Sequence, residues 1–288
     1  MTRQLHLLII DPQNDFCDLP PAYLPVDPAS GAPHASALPV PGAHADMQRL
    51  ARLIDQGRDG LSAISITLDS HHRFDIAHPT FWHGHDGQPV APFTEITAAQ
   101  VRDGRFAPRD PAHLARALNY LDRLEAAGRY TLMVWPVHCE IGSWGHNVHR
   151  DVRAAYNGWE DVTGRMVTKL VKGSNPWTEH YSAVMAEVPY DDDPDTQFNT
   201  AFVDMLATAD AIYVAGEAGS HCVKATVEHI ADYVGAAASK LVLITDCISP
   251  VTGFDAQYQQ FLQAMQARGV RLMQSGDVLP TLRANASS

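Results

Sequence analysis

Basic clusters are missing from this chain. Its 21 lysines and arginines stand against 33 aspartates and glutamates, a formal charge of −12, and nowhere do Lys and Arg gather into a patch. A nucleic acid or an anionic membrane surface would demand such a patch, so neither is expected as a partner. Long apolar runs are missing too: none approaches the roughly 20 residues of a membrane span. The opening Met1-Thr2-Arg3-Gln4 passes directly into a short apolar run, too short and wrongly flanked for a signal peptide. Cysteine is sparse. Cys17, Cys139, Cys222 and Cys247 are widely separated in 288 residues, which reads as reduced thiols in a cytoplasmic enzyme rather than a disulfide framework. What remains is 45% hydrophobic, enough for one large domain with a sizeable core. The expectation is a single domain over residues 1–288 in which the 15 histidines are the unusual abundance.

Short β-rich apolar runs recur at residues 5–10, 61–68, 130–135, 166–171, 211–215 and 241–245, each bounded by polar, Gly or Pro residues. Such runs suit strands buried on both faces. Helical periodicity fills the intervals at 45–56, 111–127, 196–207, 222–234 and 255–268. Alternation of this kind predicts parallel βαβ units and an α/β three-layer doubly wound fold with a mostly parallel six-stranded sheet. Ligands of that architecture bind beyond the C-terminal strand ends. Asp11, Asp69, the 135–138 segment, Lys172 and the 216–222 segment all fall at or just after such an end. Two segments break the alternation: 17–41, rich in Pro and Ala, and 72–110, rich in His, Pro, Gly and Phe. Both are expected to be long loops on the active-site side, the second a loop insertion. The acidic run 191–195 reads as a solvated loop leading into a helix.

Cys222 is the first candidate for chemistry. The run 211–215 leads into Gly216-Glu217-Ala218-Gly219-Ser220-His221-Cys222 and then a helical stretch. A cysteine in the first turn of a helix feels the positive end of the dipole, which favours the thiolate. The small residues before it let the backbone turn sharply and aim N–H groups at a developing oxyanion.

The segment from Val214 to Thr226, VAGEAGSHCVKAT, resembles the nucleophile motif of the isochorismatase-like cysteine hydrolases, the superfamily that includes nicotinamidases and N-carbamoylsarcosine amidohydrolases. Two further likenesses follow in order. Leu8-Ile9-Ile10-Asp11-Pro12-Gln13-Asn14-Asp15-Phe16-Cys17 is similar to the family's opening strand and catalytic aspartate, and Val171-Lys172-Gly173-Ser174-Asn175 with Glu179-His180-Tyr181-Ser182 to its lysine motif. By this resemblance Cys222 attacks, Asp11 is the general base and Lys172 holds and tunes that carboxylate. The family's non-proline cis peptide, carried over, joins Glu217 and Ala218 and directs the Ala218 N–H into an oxyanion hole beside that of Cys222. Glu217 stands where an aliphatic residue is usual, and His221 where an aromatic is frequent.

Asp69-Ser70-His71, with His138 in Trp135-Pro136-Val137-His138-Cys139, resembles the metal site of nicotinamidases. A carboxylate and two imidazoles suit one divalent ion, with Zn²⁺ favoured and Fe²⁺ or Mn²⁺ allowed. A fourth ligand is left open among His78, His72, His83 and His85. The resemblance further implies that the ion holds a pyridine nitrogen while Phe16 and Trp135 enclose the ring. The activity it implies is hydrolysis of nicotinamide to nicotinic acid and ammonia, as in NAD salvage, through a thioester. Alternatives are a related amidohydrolase acting on another carboxamide or ureido substrate, a vinyl-ether hydrolase, and a non-catalytic binding protein on the same scaffold. The expected partner is a small-molecule amide, and since members of that family often assemble, a homo-oligomer stays open.

Overall fold

Leu5–Ile10 (β1) is buried at every position, the signature of a strand covered on both faces and flanked on both sides. The computed structural model, which describes residues 2–287, places it inside a six-stranded sheet. Its order is Arg271–Met273 (β10), Leu241–Ile244 (β9), Ala211–Gly216 (β8), β1, Ala63–Asp69 (β2) and Thr168–Lys172 (β7). All its pairings are parallel. The inner strand β8 is likewise buried throughout. The edge strands β7 and β10 are short and carry exposed Lys169 and Arg271, which discourages pairing with another chain.

Helices cover both faces. Ala43–Gly57 (α1) buries Met47, Leu50 and Ile54 at helical spacing and packs against Arg150–Thr163 (α4) and Ser275–Ala286 (α8). Cys222–Val234 (α6) packs against Thr200–Ala207 (α5), Asp255–Ala267 (α7) and β8. Leu114–Ala127 (α3) ends at Gly128 in the left-handed conformation, which glycine adopts without a Cβ penalty. None of the helices among the described residues is long and apolar enough to cross a membrane.

The sheet has six strands as expected, but not the expected six. Residues 130–135 contribute Leu132–Val134 (β6), which pairs antiparallel with Thr94–Ile96 (β4) outside the main sheet. The sixth place goes to β10, too short to announce itself as an apolar run. The 72–110 segment is also more ordered than a loop. It holds β4, Ala98–Arg102 (α2), and the antiparallel pair Trp82–Gly84 (β3) and Phe106–Pro108 (β5), and buries Ile76, Phe81 and Trp82 completely.

Register decides which side chains meet. Ile10 lies opposite Gly216 and Asp69 opposite Lys172, so Asp11, Asp69, Lys172 and the 217–222 turn emerge at one end of the sheet. The chain winds outward from β1 in both directions, making the gap between β1 and β8 the topological switch point. A Cβ at Gly216 would lie 1.9 Å from the Ile10 carbonyl oxygen, and Gly216 has φ +117°. Gly216→Ala should therefore lower the unfolding free energy by about 3 kcal/mol or more, read from the urea midpoint. A midpoint unchanged from wild type would show that β1 and β8 can separate without loss.

Candidate active site

Lys172 is the centre of the polar cluster. Its Nζ lies 2.9 Å from Asp11 Oδ2 and 2.9 Å from Asp69 Oδ1, donates to the His180 carbonyl at 2.9 Å and reaches Cys222 Sγ at 3.6 Å. Asp11, Asp69 and Lys172 are all buried. Asp11, at the first position after β1, has φ +41°, and its backbone N–H donates to Thr67 Oγ1 while that hydroxyl donates to Asp11 Oδ1. Asp11 Oδ2 makes an ionic contact with Lys172 but has no aligned hydrogen bond. That lone pair is left for a proton.

The two carboxylates are driven apart. Burial pushes Asp11 above the usual carboxylate range, against the pull of Lys172. Burial acts on Asp69 in the same sense, yet His71 and Lys172 overcome it and hold Asp69 well below that range. Asp11 can therefore carry a proton, whereas Asp69 stays an anion. Burial also raises the Cys222 thiol well above its ordinary value, and Asp11 and Asp69 add to the rise against Lys172. Burial and two neighbouring carboxylates thus oppose the thiolate that the helix terminus favours.

The structure contains the cis peptide between Glu217 and Ala218. Neither the Ala218 nor the Cys222 N–H finds an acceptor among the described residues. Two free donors beside one sulfur form a site for an oxyanion.

Asp69, His71 and His138 converge as expected. Asp69 Oδ2 lies 3.2 Å from His71 Nε2 and 3.3 Å from His138 Nε2, and neighbouring ligands at about 2.1 Å from one ion stand about 3.0–3.4 Å apart. The second ring nitrogens are held from behind. His71 Nδ1 faces Asp75 Oδ2 at 3.0 Å and His138 Nδ1 donates to the Pro136 carbonyl at 2.8 Å, which turns each Nε2 toward Asp69. Burial would lower His71, but Asp69 and Asp75 raise it well above its usual value, so the site favours positive charge. Of the open choices for a fourth ligand, His78 is the one that approaches, with its Nε2 3.3 Å from His138 Nδ1, the ring nitrogen other than the one facing Asp69. His71, His78 and His138 are all buried and offer donor atoms within 4.8 Å of one another. Burial and the neighbouring imidazoles hold His78 down to about 2, and its Nδ1 lacks a partner. His72 and His85 are exposed and His83 contacts the Gly84 carbonyl.

Phe16 and Trp135 line a narrow recess that also exposes Cys222, Ala218, His138 and Asp69. Phe16 meets His138 edge-on at 5.4 Å and Trp135 meets His221 at 5.1 Å. Five wall residues had no role assigned from sequence: Leu38, Glu179, Tyr181, His221 and Val251. Tyr181 takes the Trp135 indole N–H at 3.0 Å. Gln13 also went unassigned, although its side-chain amide grips the backbone of Asp69 from both sides, at 2.7 Å to each group. Its place two residues after Asp11 was the available signal. Cys139 is fully buried.

Solved structures share this fold. The chain resembles a nicotinamidase/pyrazinamidase of Acinetobacter baumanii with TM-score 0.60 and 20% identity, over 96% of this chain and 98% of that one. Yeast nicotinamidase gives 0.59 and 18%, over 94% and 99%. A pyrazinamidase of Pyrococcus horikoshii in complex with zinc gives 0.50 and 17%, over 94% and 99%. At these identities the likeness is one of fold. No family model matches the chain, and no curated protein matches it by sequence.

Iodoacetamide should label Cys222 first, because it is 6% exposed while Cys17, Cys139 and Cys247 are 0% exposed. The rate should climb through the alkaline range, since the folded thiol is raised. Lys172→Met should slow that labelling and destabilise the fold by about 3–5 kcal/mol, because it leaves two buried carboxylates without their cation. A labelling rate that levels off near neutral pH, or equal labelling of all four cysteines, would contradict this account.

Proposed function

We propose that the chain is a cysteine-dependent amide hydrolase with nicotinamide as its preferred type of substrate. One observation carries the reading: the Cys222 thiol and two N–H groups without an acceptor among the described residues line one recess with Asp69 and His138, and Lys172 behind it joins that thiol to the base Asp11. The fold shared with solved nicotinamidases supports it.

Asp11 Oδ2 takes the Sγ proton as Cys222 attacks the carboxamide carbon. The carbonyl oxygen becomes an oxyanion received by the Ala218 and Cys222 N–H groups. As the tetrahedral species collapses, the proton on Asp11 passes to the departing nitrogen, ammonia leaves and a thioester remains. Asp11, again a base, takes a proton from water, which attacks the thioester. Collapse releases the carboxylic acid and returns the proton to sulfur, so that one amide and one water give one acid and one ammonia. Lys172 stays charged throughout, since burial is outweighed by Asp11 and Asp69, which hold it well above its ordinary value. It keeps Asp11 in place and favours the sulfur anion as it forms.

A divalent ion held by Asp69, His71, His138 and His78 would supply a Lewis-acidic anchor for a ring nitrogen. Zinc is the proposed ion, by analogy with the zinc complex of the fold relative. Phe16 and Trp135 offer aromatic walls to a planar ring. A second reading, a ureido substrate, draws on Glu179, whose Oε2 is buried beside the recess without a partner and would accept an additional N–H.

Wild-type protein should release ammonia from nicotinamide faster than from benzamide, and Cys222→Ala should abolish release. Asp11→Asn and Lys172→Ala should each lower the rate by orders of magnitude, with losses far from additive. His138→Ala should lose bound metal in elemental analysis and raise KM for nicotinamide roughly tenfold or more, with much less effect on benzamide. Absence of stoichiometric metal together with equal turnover of benzamide and nicotinamide rejects the nicotinamide reading. Faster turnover of an N-carbamoyl amine than of either selects the ureido one.

A further inference from the structure

Glu217 is fully buried beside another buried acid, Asp46 of α1, and neither takes part in the chemistry above. The two are joined through Ser249. Its backbone N–H donates to Glu217 Oε2 at 3.2 Å, its hydroxyl donates to Asp46 Oδ2, and its carbonyl accepts from the Gly219 N–H at 2.8 Å. Gly42 leaves room for that hydroxyl, since a Cβ there would lie 2.9 Å from Ser249 Oγ. On its far side Asp46 receives the Arg49 guanidinium, which also donates to the Asp246 carbonyl.

Charge balance within this group is uneven. Arg49 neutralises one carboxylate, and among the described residues the second has no cation. Asp18 is a further nearby acid, and Cys17, Cys247 and Tyr258 face the cluster from the β1 loop, the segment after β9 and α7. None of them is a cation. Two buried carboxyl groups bridged by one serine do not both ionise readily when one positive charge serves them.

We propose that Glu217 and Asp46 share one proton, and that this acid pair, clamped by Ser249, is a positioning device that holds the Ala218 N–H at the oxyanion site. Glu217 is the residue immediately before Ala218. Its N–H is tied to the Ile10 carbonyl at 2.9 Å, its side chain to the Ser249 N–H and through Ser249 to Asp46, and Gly219 to Ser249 again, so the donor-bearing peptide is fixed on both flanks. Burial first, then Asp46, raise the Glu217 carboxyl well above its ordinary range, which agrees with a retained proton. The role rests on the amide-hydrolase reading, whereas the shared proton does not.

Two arms separate these. In the first, thermal unfolding of wild type and Glu217→Gln is followed from mildly acidic to alkaline pH. A carboxyl raised in the folded state withdraws stability as pH climbs from the unfolded carboxylate range, about 4, through the folded value. Glutamine has no proton to lose. The Tm gap in favour of Glu217→Gln should therefore widen with pH, and a gap that stays constant overturns the shared proton whatever the enzyme does. In the second arm, Glu217→Ala and Ser249→Ala should lower kcat about tenfold with KM, metal content and Cys222 alkylation near wild type, while Glu217→Gln restores kcat. An unchanged kcat in both alanine variants, or a glutamine variant as impaired as alanine, overturns the positioning role. Failure of wild type to release ammonia from any amide would instead reject the underlying reading and leave the first arm standing.

Discussion

A lysine ammonium sealed from water is the constraint on which the rest of the site depends. Lys172 is 2% exposed, and an ion so placed survives only if anions and lone pairs replace its hydration. Asp11, Asp69 and the His180 carbonyl do so at 2.9 Å each. These partners come from β1, β2 and the loop after β7, so the ion ties three neighbouring strand ends together. Parallel register makes this possible by setting Asp69 beside Lys172. Close packing preserves it, since a Cβ at Gly173 would press on Asp69 Oδ1 at 3.1 Å.

The same ion divides labour between its two carboxylates. Asp69 is held by Lys172 through Oδ1 and by His71 and His138 through Oδ2, so both oxygens are committed and the group remains charged. Asp11 is committed through Oδ1 to Thr67, while Oδ2 keeps a lone pair toward the sulfur. Chemically identical groups thus become a fixed anion and a proton carrier. A raised thiol suits that pairing, because a base that also binds a proton readily can move it in both directions.

How much of this was legible in sequence follows from physical range. Cys222, Asp11 and Lys172 were identifiable because each sits at a strand end in a local pattern, and the resemblance set them in order. Asp69, His71 and His138 were legible for the same reason. His78 was not, since its approach depends on the fold of the 72–110 segment, where buried Phe81 and Trp82 supply an order that irregular composition concealed. β10 has three residues and no long apolar run, while β6 is apolar yet belongs to another sheet. Sheet membership is a long-range property that local periodicity does not encode. The burial that raises the Cys222 thiol is likewise a property of the whole fold, which a local dipole does not encode.

Charge and shape in this site come from different parts of the chain. The ionised groups sit on or beside strands β1, β2 and β7, where backbone ladders fix them. The walls of the recess come from segments outside the main sheet: Phe16 and Leu38 before α1, Trp135 and His138 after β6, Glu179 and Tyr181 after β7. Groups on strands are held more closely than groups on loops, and loops tolerate change that strands do not. Substitution in the walls would alter what fits the recess while leaving the Asp11, Lys172 and Cys222 geometry intact. Substitution at the strand ends would instead disturb a buried ion and with it the fold. The buried charges are therefore tied to stability in this protein, and the shape of the recess is comparatively free of it.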